Sequence, residues 1–250
     1  MKERRVYMRE FTGLEKIGEI VAAFPGASNL FKANSVDFCC GGNRILSTVL
    51  AEKRINPEQF LHELNEAYQE AIEREKQPKD WRDAPFAELI EYIIDHHHGY
   101  LYRELPILSE FVTKIFRVHG TKHPELGELH KRFHELKLEL EQHLVEEEQV
   151  VFPLIKDFAE KGSLESLEQA LKAIKQLEDE HERAGDLLKE MNAITDQYRL
   201  PPGACTTYRV TFRKLQQLEA DLFQHVHLEN NILFPRLERV SKTLKSNEIQ

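Results

Sequence analysis

The sequence predicts an all-α protein, a small helical unit followed by an antiparallel bundle of four long helices. Three observations carry that expectation. Apolar residues recur at steps of three and four almost throughout, and the alternation of half-buried strands is nearly absent. In the later part of the chain the helical segments are long and the breaks between them short, which favours antiparallel neighbours. One stretch also occurs twice, as HLVEEEQVVFP at 143–153 and HVHLENNILFP at 225–235, so the chain holds an internal repeat.

The first unit spans residues 1–76. Thr12-Gly13-Leu14-Glu15 has the form of a capping box and is expected to open its first helix. Pro25-Gly26 and Gly41-Gly42 punctuate short helices. Asn56-Pro57-Glu58 starts the last of them, an N-cap followed by proline at the first helical position. Lys76 to Asp83, KQPKDWRD, is polar and contains proline, and reads as a linker.

The bundle spans 84–240. Its first helix runs from about Pro85 to Val118, with a kink expected at Pro106. The turn HGTKHP leads into the second, from about Pro124 to Glu160. Lys161-Gly162-Ser163 ends that helix and caps the third, which runs to about Tyr198. LPPGA at 200–204 is the next break, and the fourth helix continues to about Val240 before a frayed tail, KSNEIQ.

Composition narrows the function classes. A chain of 250 residues with 41% hydrophobic and 31% charged residues can bury a sizeable core. Its net charge of -9, with no basic stripe, argues against nucleic acid or an anionic membrane as partner. No stretch approaches the ~20 apolar residues of a membrane span, and MKERRVYMREF has no apolar signal segment, so a cytoplasmic location is expected. Three cysteines, two of them adjacent, do not make a disulfide framework and fit a reducing compartment.

The chemistry lies in the repeat. Each copy has a histidine and, four residues on, a glutamate: His143 with Glu147, His225 with Glu229. That spacing puts both on one helix face, about 6 Å apart. Both pairs also interrupt the apolar seam. Leu126, Leu129, Phe133, Leu136, Leu140, His143, Glu147, Val150, Leu154 is one such seam; Tyr208, Thr211, Leu215, Leu218, Leu222, His225, Glu229, Ile232 is the other. A buried carboxylate with no partner costs several kcal/mol, and a bound cation is the natural compensation. On the third helix Leu167, Leu171, Ile174, Glu178, His181, Gly185, Leu188 turns His181 inward. On the first, His97 and His98 fit the seam between Ile94 and Leu101 equally well. Four histidines and two carboxylates form a nitrogen and oxygen donor set suited to iron, manganese or zinc. Carboxylates able to bridge favour a dinuclear iron or manganese centre with positions open to small molecules.

The remaining histidines, His96, His119, His123, His130, His134 and His227, read as solvated or edge residues. Glu139, one turn before His143, and Glu180, beside His181, are placed to orient a ligand histidine or to face solvent. In DFCCGGN, Cys39 and Cys40 precede helix-forming sequence. A helix N-terminus there would lower their pKa and make them nucleophiles or soft metal ligands; the alternative is two small residues packed in a glycine-rich turn.

Taken in order, DFCCGGN, DWRDAP, a histidine seven residues before Leu105-Pro106, HLVEEEQVVFP, EDEHERAGDLL, PPGACTTY and HLENNILFP make the chain resemble the iron-sulfur cluster repair di-iron proteins. These have a hemerythrin-like four-helix domain behind a short domain with a DxCCGG-type motif. The resemblance covers nearly the whole chain. It implies two iron ions held by His98, His143, Glu147, His181, His225 and Glu229, with Glu147 and Glu229 bridging; the offset to Leu105-Pro106 selects His98 over its neighbours. It implies repair of iron-sulfur clusters damaged by nitrosative or oxidative stress, by supplying iron, with nitric oxide binding or reduction as a further activity. Damaged iron-sulfur proteins would be the partners, nitric oxide or oxygen the small ligands, and a homodimer the assembly. Cys39 and Cys40 are carried as a catalytic pair of unassigned role. The rival reading is an oxygen or nitric oxide sensor or carrier of hemerythrin type.

Overall fold

A computed structural model describes residues 10–73 and 80–247, and these are all-α, as the periodicity predicts. The linker expected at 76–83 lies partly outside the described residues, as does the end of the tail. The chain divides into two units, residues 1–81 and 82–250.

The first unit holds four helices: α1 (Ile17–Ala23), α2 (Ala27–Ala33), α3 (Leu46–Glu52) and α4 (Pro57–Glu73). The capping-box contacts form, with the Thr12 N–H donating to both Glu15 carboxylate oxygens, yet no helix follows. Gly13 sits at φ +85, a left-handed conformation that turns the chain away, and α1 starts only after an N-cap at Lys16. Asn56 behaves as expected: its Oδ1 accepts the Gln59 N–H at 3.1 Å and Pro57 opens α4. Phe11, Ile17, Phe31, Phe38, Leu46 and Leu64 are buried here, with Phe31 stacked on Phe60 at 5.7 Å.

The second unit is four rods. The first is α5 (Phe86–Tyr92), a π-helical segment π1 (Ile93–His98) and α6 (Gly99–His119); the second is α7 (Glu125–Glu146), π2 (Glu147–Val151) and α8 (Phe152–Lys161). The third is α9 (Leu164–Ile194), and the fourth α10 (Thr206–Leu228), π3 (Glu229–Leu233) and α11 (Phe234–Asn247). α5 packs on α8 and α6 on α7, α7 and α8 both pack on α9, and α10 returns against α6, so the antiparallel bundle closes on itself. Leu126, Leu129, Phe133 and Leu136 of α7 are fully buried in its core. Among the described residues no helix is long and apolar enough to cross a membrane.

The breaks follow the predicted chemistry with two differences. Gly162 is left-handed at φ 69 and Ser163 Oγ accepts the Ser166 N–H, so the second rod ends and the third begins as read. α9 stops at Ile194 rather than Tyr198, because Asp196, Gln197 and Tyr198 all take positive φ and Thr195 Oγ1 accepts the Tyr198 N–H. The expected tail is helical as far as Asn247.

Candidate metal centre

The three π segments found among the described residues coincide with the predicted ligands. π1 ends at His98, π2 opens at Glu147 and π3 opens at Glu229. A π turn inserts a residue relative to the α ladder, and such bulges gather at functional sites. After Glu147 the inward residues are Val151 and Ile155, while Val150 is 38% exposed. The predicted Val150 and Leu154 positions are therefore one residue early. In α9, Leu177 is buried and Glu178 exposed, correcting the glutamate placed in that seam.

His98, His143, His181 and His225 are all buried, and Glu147 and Glu229 are wholly so. All four imidazoles turn Nε2 to the centre. His98 Nε2 faces His225 Nε2 at 3.3 Å, and His143 Nε2 faces His181 Nε2 at 3.0 Å. Glu147 lies 3.3 Å from both His98 and His143, and Glu229 lies 3.2 Å from both His181 and His225. Two overlapping groups result: His98, Glu147, His225 and Glu229, and His143, Glu147, His181 and Glu229, each with its donor atoms within 4.8 Å of one another. Both contain both carboxylates.

The donor set fits a pair of cations on its own chemistry. Neither oxygen of Glu147 nor Oε2 of Glu229 has a hydrogen bond of acceptable geometry. Cations between the groups would give every one of these atoms a partner, and carboxylates common to both groups are what a bridged pair requires. Electrostatics point the same way. Burial opposes protonating His143, but Glu147 and Glu180 outweigh it and push its pKa up to about 10. Burial likewise opposes ionising Glu229, yet the His225 and His181 imidazoles hold its carboxyl well below the usual range. Without metal, His98 and His143 favour the protons whose charge the carboxylates demand, while burial holds His225 toward its neutral form.

Three of the four outward nitrogens are anchored. His98 Nδ1 lies 2.8 Å from Glu148, His143 Nδ1 2.8 Å from Glu180, and His181 Nδ1 2.8 Å from Asn230. Such acceptors fix the ring and leave the Nε2 lone pair facing inward. Glu180 does orient a histidine, though across the bundle rather than beside it; Glu139 does not. Glu148 and Asn230 went unpredicted, although both follow the glutamate at the same place in the repeat, and that shared offset was the available signal. His97 is buried with His98, its Nδ1 held 3.1 Å from Asp221. His227, expected at an edge, is only 2% exposed, since the fourth rod buries every residue from His225 to Glu229. His96 is exposed as expected.

Cys39 and Cys40 belong to the first unit. α3 begins only at Leu46, so the pair does not directly precede a helix. The Asp37 carboxylate accepts the Cys39 and Gly41 N–H groups, and the Cys39 thiol lies 3.2 Å from it and 3.8 Å from the Cys40 sulfur. The contact with Cys40, burial and the Asp37 charge push the Cys39 thiol well up, which for Cys39 favours the packed-turn reading over the activated thiolate.

Fold and site together define a hemerythrin-type cation-binding bundle. A family model described as the Hemerythrin HHE cation binding domain matches residues 89–237, and one described as a domain of unknown function matches 13–68. Curated relatives named iron-sulfur cluster repair protein YtfE match over 222 residues, 89% of this chain and 96% of theirs. The Escherichia coli protein is 39% identical, and those of Shigella boydii and Citrobacter koseri are 38% identical. The chain belongs to this iron-sulfur cluster repair family with a hemerythrin domain.

Proposed function

We propose that His98, His143, Glu147, His181, His225 and Glu229 hold two iron ions bridged by Glu147 and Glu229, and that the chain repairs damaged iron-sulfur clusters in the cytoplasm by supplying iron. One observation carries this reading: two overlapping His2Glu2 groups share both buried carboxylates, three of whose oxygens have no hydrogen bond. Bound iron would supply a Lewis-acidic, redox-active pair with positions open to small ligands such as nitric oxide or oxygen.

The chain's own residues do the rest. Glu148, Glu180 and Asn230 hold three imidazoles so that their Nε2 atoms face the ions. Residues such as Leu140 and Phe152, buried on the same rods, limit water in the interior. Six protein donors for two ions hold each less completely than a closed site would, which suits a protein that gives iron up. His98 and His143 also favour protons when the ions leave, so release need not strand bare carboxylates in the interior.

Anaerobic protein loaded with ferrous iron should transfer it to a cluster-depleted iron-sulfur protein and restore its activity faster than an equal amount of iron in solution. Retention of all iron in the presence of the acceptor, with reversible binding of nitric oxide or oxygen, would overturn donation in favour of the sensor or carrier reading.

A further inference from the structure

The sequence repeat gives the site an approximate two-fold relation. The second rod, with His143, Glu147 and Glu148, corresponds to the fourth, with His225, Glu229 and Asn230; His98 on the first rod corresponds to His181 on the third. The anchors obey it in part. Glu148 and Asn230 are equivalent, and each holds a histidine of a neighbouring rod at 2.8 Å. Glu180, the residue before His181, holds His143. Its equivalent is the residue before His98, which is His97, and the ring it should serve is His225.

His97 does not serve it by a hydrogen bond. His225 Nδ1 is buried without a hydrogen-bond partner, unlike the other three outward nitrogens. Instead the two rings lie parallel, with 5° between their planes and centroids 5.6 Å apart. His97 is itself fixed. Its Nδ1 is held by Asp221, one helical turn before His225 on the same rod, and Tyr92 packs edge-on at 5.8 Å. An acceptor at Nδ1 sets both ring rotation and tautomer, whereas a stacked ring resists rotation and leaves the tautomer unset.

We propose that His97, clamped by Asp221, is the positioning residue for His225, and that the subsite built on His98 and His225 consequently releases its ion before the one built on His143 and His181. The proposal rests on the ligand set given under Proposed function. It also gives iron donation a direction, since one ion of the pair leaves first and from a defined side.

The test is release of ferrous iron from the full chain, loaded anaerobically, to a ferrous chelator, together with thermal melting of the same variants without metal. Wild type should release its two equivalents in separate phases. His97→Ala should accelerate one phase about 10-fold or more, the usual effect of removing a residue that orients a ligand, and leave the other unchanged. His97→Phe keeps a stackable ring and should stay near wild type. Glu180→Ala should accelerate the other phase. Equal acceleration of both phases in His97→Ala, or unchanged release, would overturn the proposal alone. So would His97→Phe behaving as Ala does. Wild-type saturation at one equivalent would overturn the ligand set and this proposal with it.

Discussion

The same four rods carry two layers of opposite character. Around Phe133 and Leu136 the interior is a continuous cluster of buried apolar side chains. About three turns along, around Glu147 and Glu229, the rods bury two carboxylates and four imidazoles and interrupt the α ladder with π segments. The first layer stabilises the fold regardless of what binds, while the second is stabilised by cations or protons. The difference shows where this protein gives up stability for chemistry, and it can be tested layer by layer.

The largest effect belongs to the apolar layer. Phe133→Ala should cost about 3–5 kcal/mol, the usual range for deleting a buried phenyl, and the loss should be similar with and without iron in chemical denaturation. A loss confined to the iron-loaded protein would mean that the two layers are not separate.

Glu147→Leu probes the other layer and should change sign with metal. In the loaded protein it removes the donor that lies 3.3 Å from both His98 and His143, so the melting temperature falls. In the stripped protein it removes a buried charge and lets His98 and His143, raised chiefly by Glu147, return toward neutral imidazoles, which offsets the lost ion pairing. Its melting temperature should then equal or exceed that of wild type. A fall in both forms would show that Glu147 stabilises the fold without a cation.

The pH dependence of the stripped protein sharpens the contrast. The folded pKa of His143 is raised to about 10 from an ordinary 6.5, so the stability it contributes is fully present below 6.5 and is lost as pH rises toward 10. His98 shifts the same way, the pull of Glu147 exceeding the burial that opposes it. Glu147 and Glu229 are depressed, and their contribution is lost only as pH falls below about 4.5. Between pH 6.5 and 8.5 the stripped protein should therefore melt at progressively lower temperature. The iron-loaded protein, whose imidazoles bind metal rather than protons, should not follow it. Parallel curves would count against protons and cations exchanging at one site.

The apolar layer was legible in the sequence because packing obeys one period: Leu126, Leu129, Phe133 and Leu136 were placed inward from spacing alone and are buried. The His-x-x-x-Glu pairs were legible for the opposite reason, as charges where that period asks for leucine. What stayed hidden depends on geometry rather than period. The capping box at Thr12 could not reveal that Gly13 is left-handed, and no local spacing tells that Glu180 reaches across to His143. His97 and His98 could not be separated by periodicity because both are in fact buried, one facing its partner histidine and the other Asp221. The π turns were the subtlest, since a one-residue shift after Glu147 leaves an apolar residue at either candidate position.

That shift gives the smallest effect and the most direct reading of where the α ladder breaks. Val150 and Val151 are neighbours of one residue type, the first a step of three from Glu147 and the second a step of four, and helical spacing allows either inside. With π2 inserted, Val151 is fully buried and Val150 is 38% exposed. Val151→Ser should then cost on the order of 1–3 kcal/mol, since it removes apolar burial and places a hydroxyl in the interior. Val150→Ser should stay within about 0.5 kcal/mol, as surface substitutions do. The pair should be compared with and without iron. If Glu147 needs the π turn to reach both His98 and His143, the difference between the two variants should persist in the loaded protein. Equal costs at both positions in both forms would mean that Val151 is not the inward residue after Glu147.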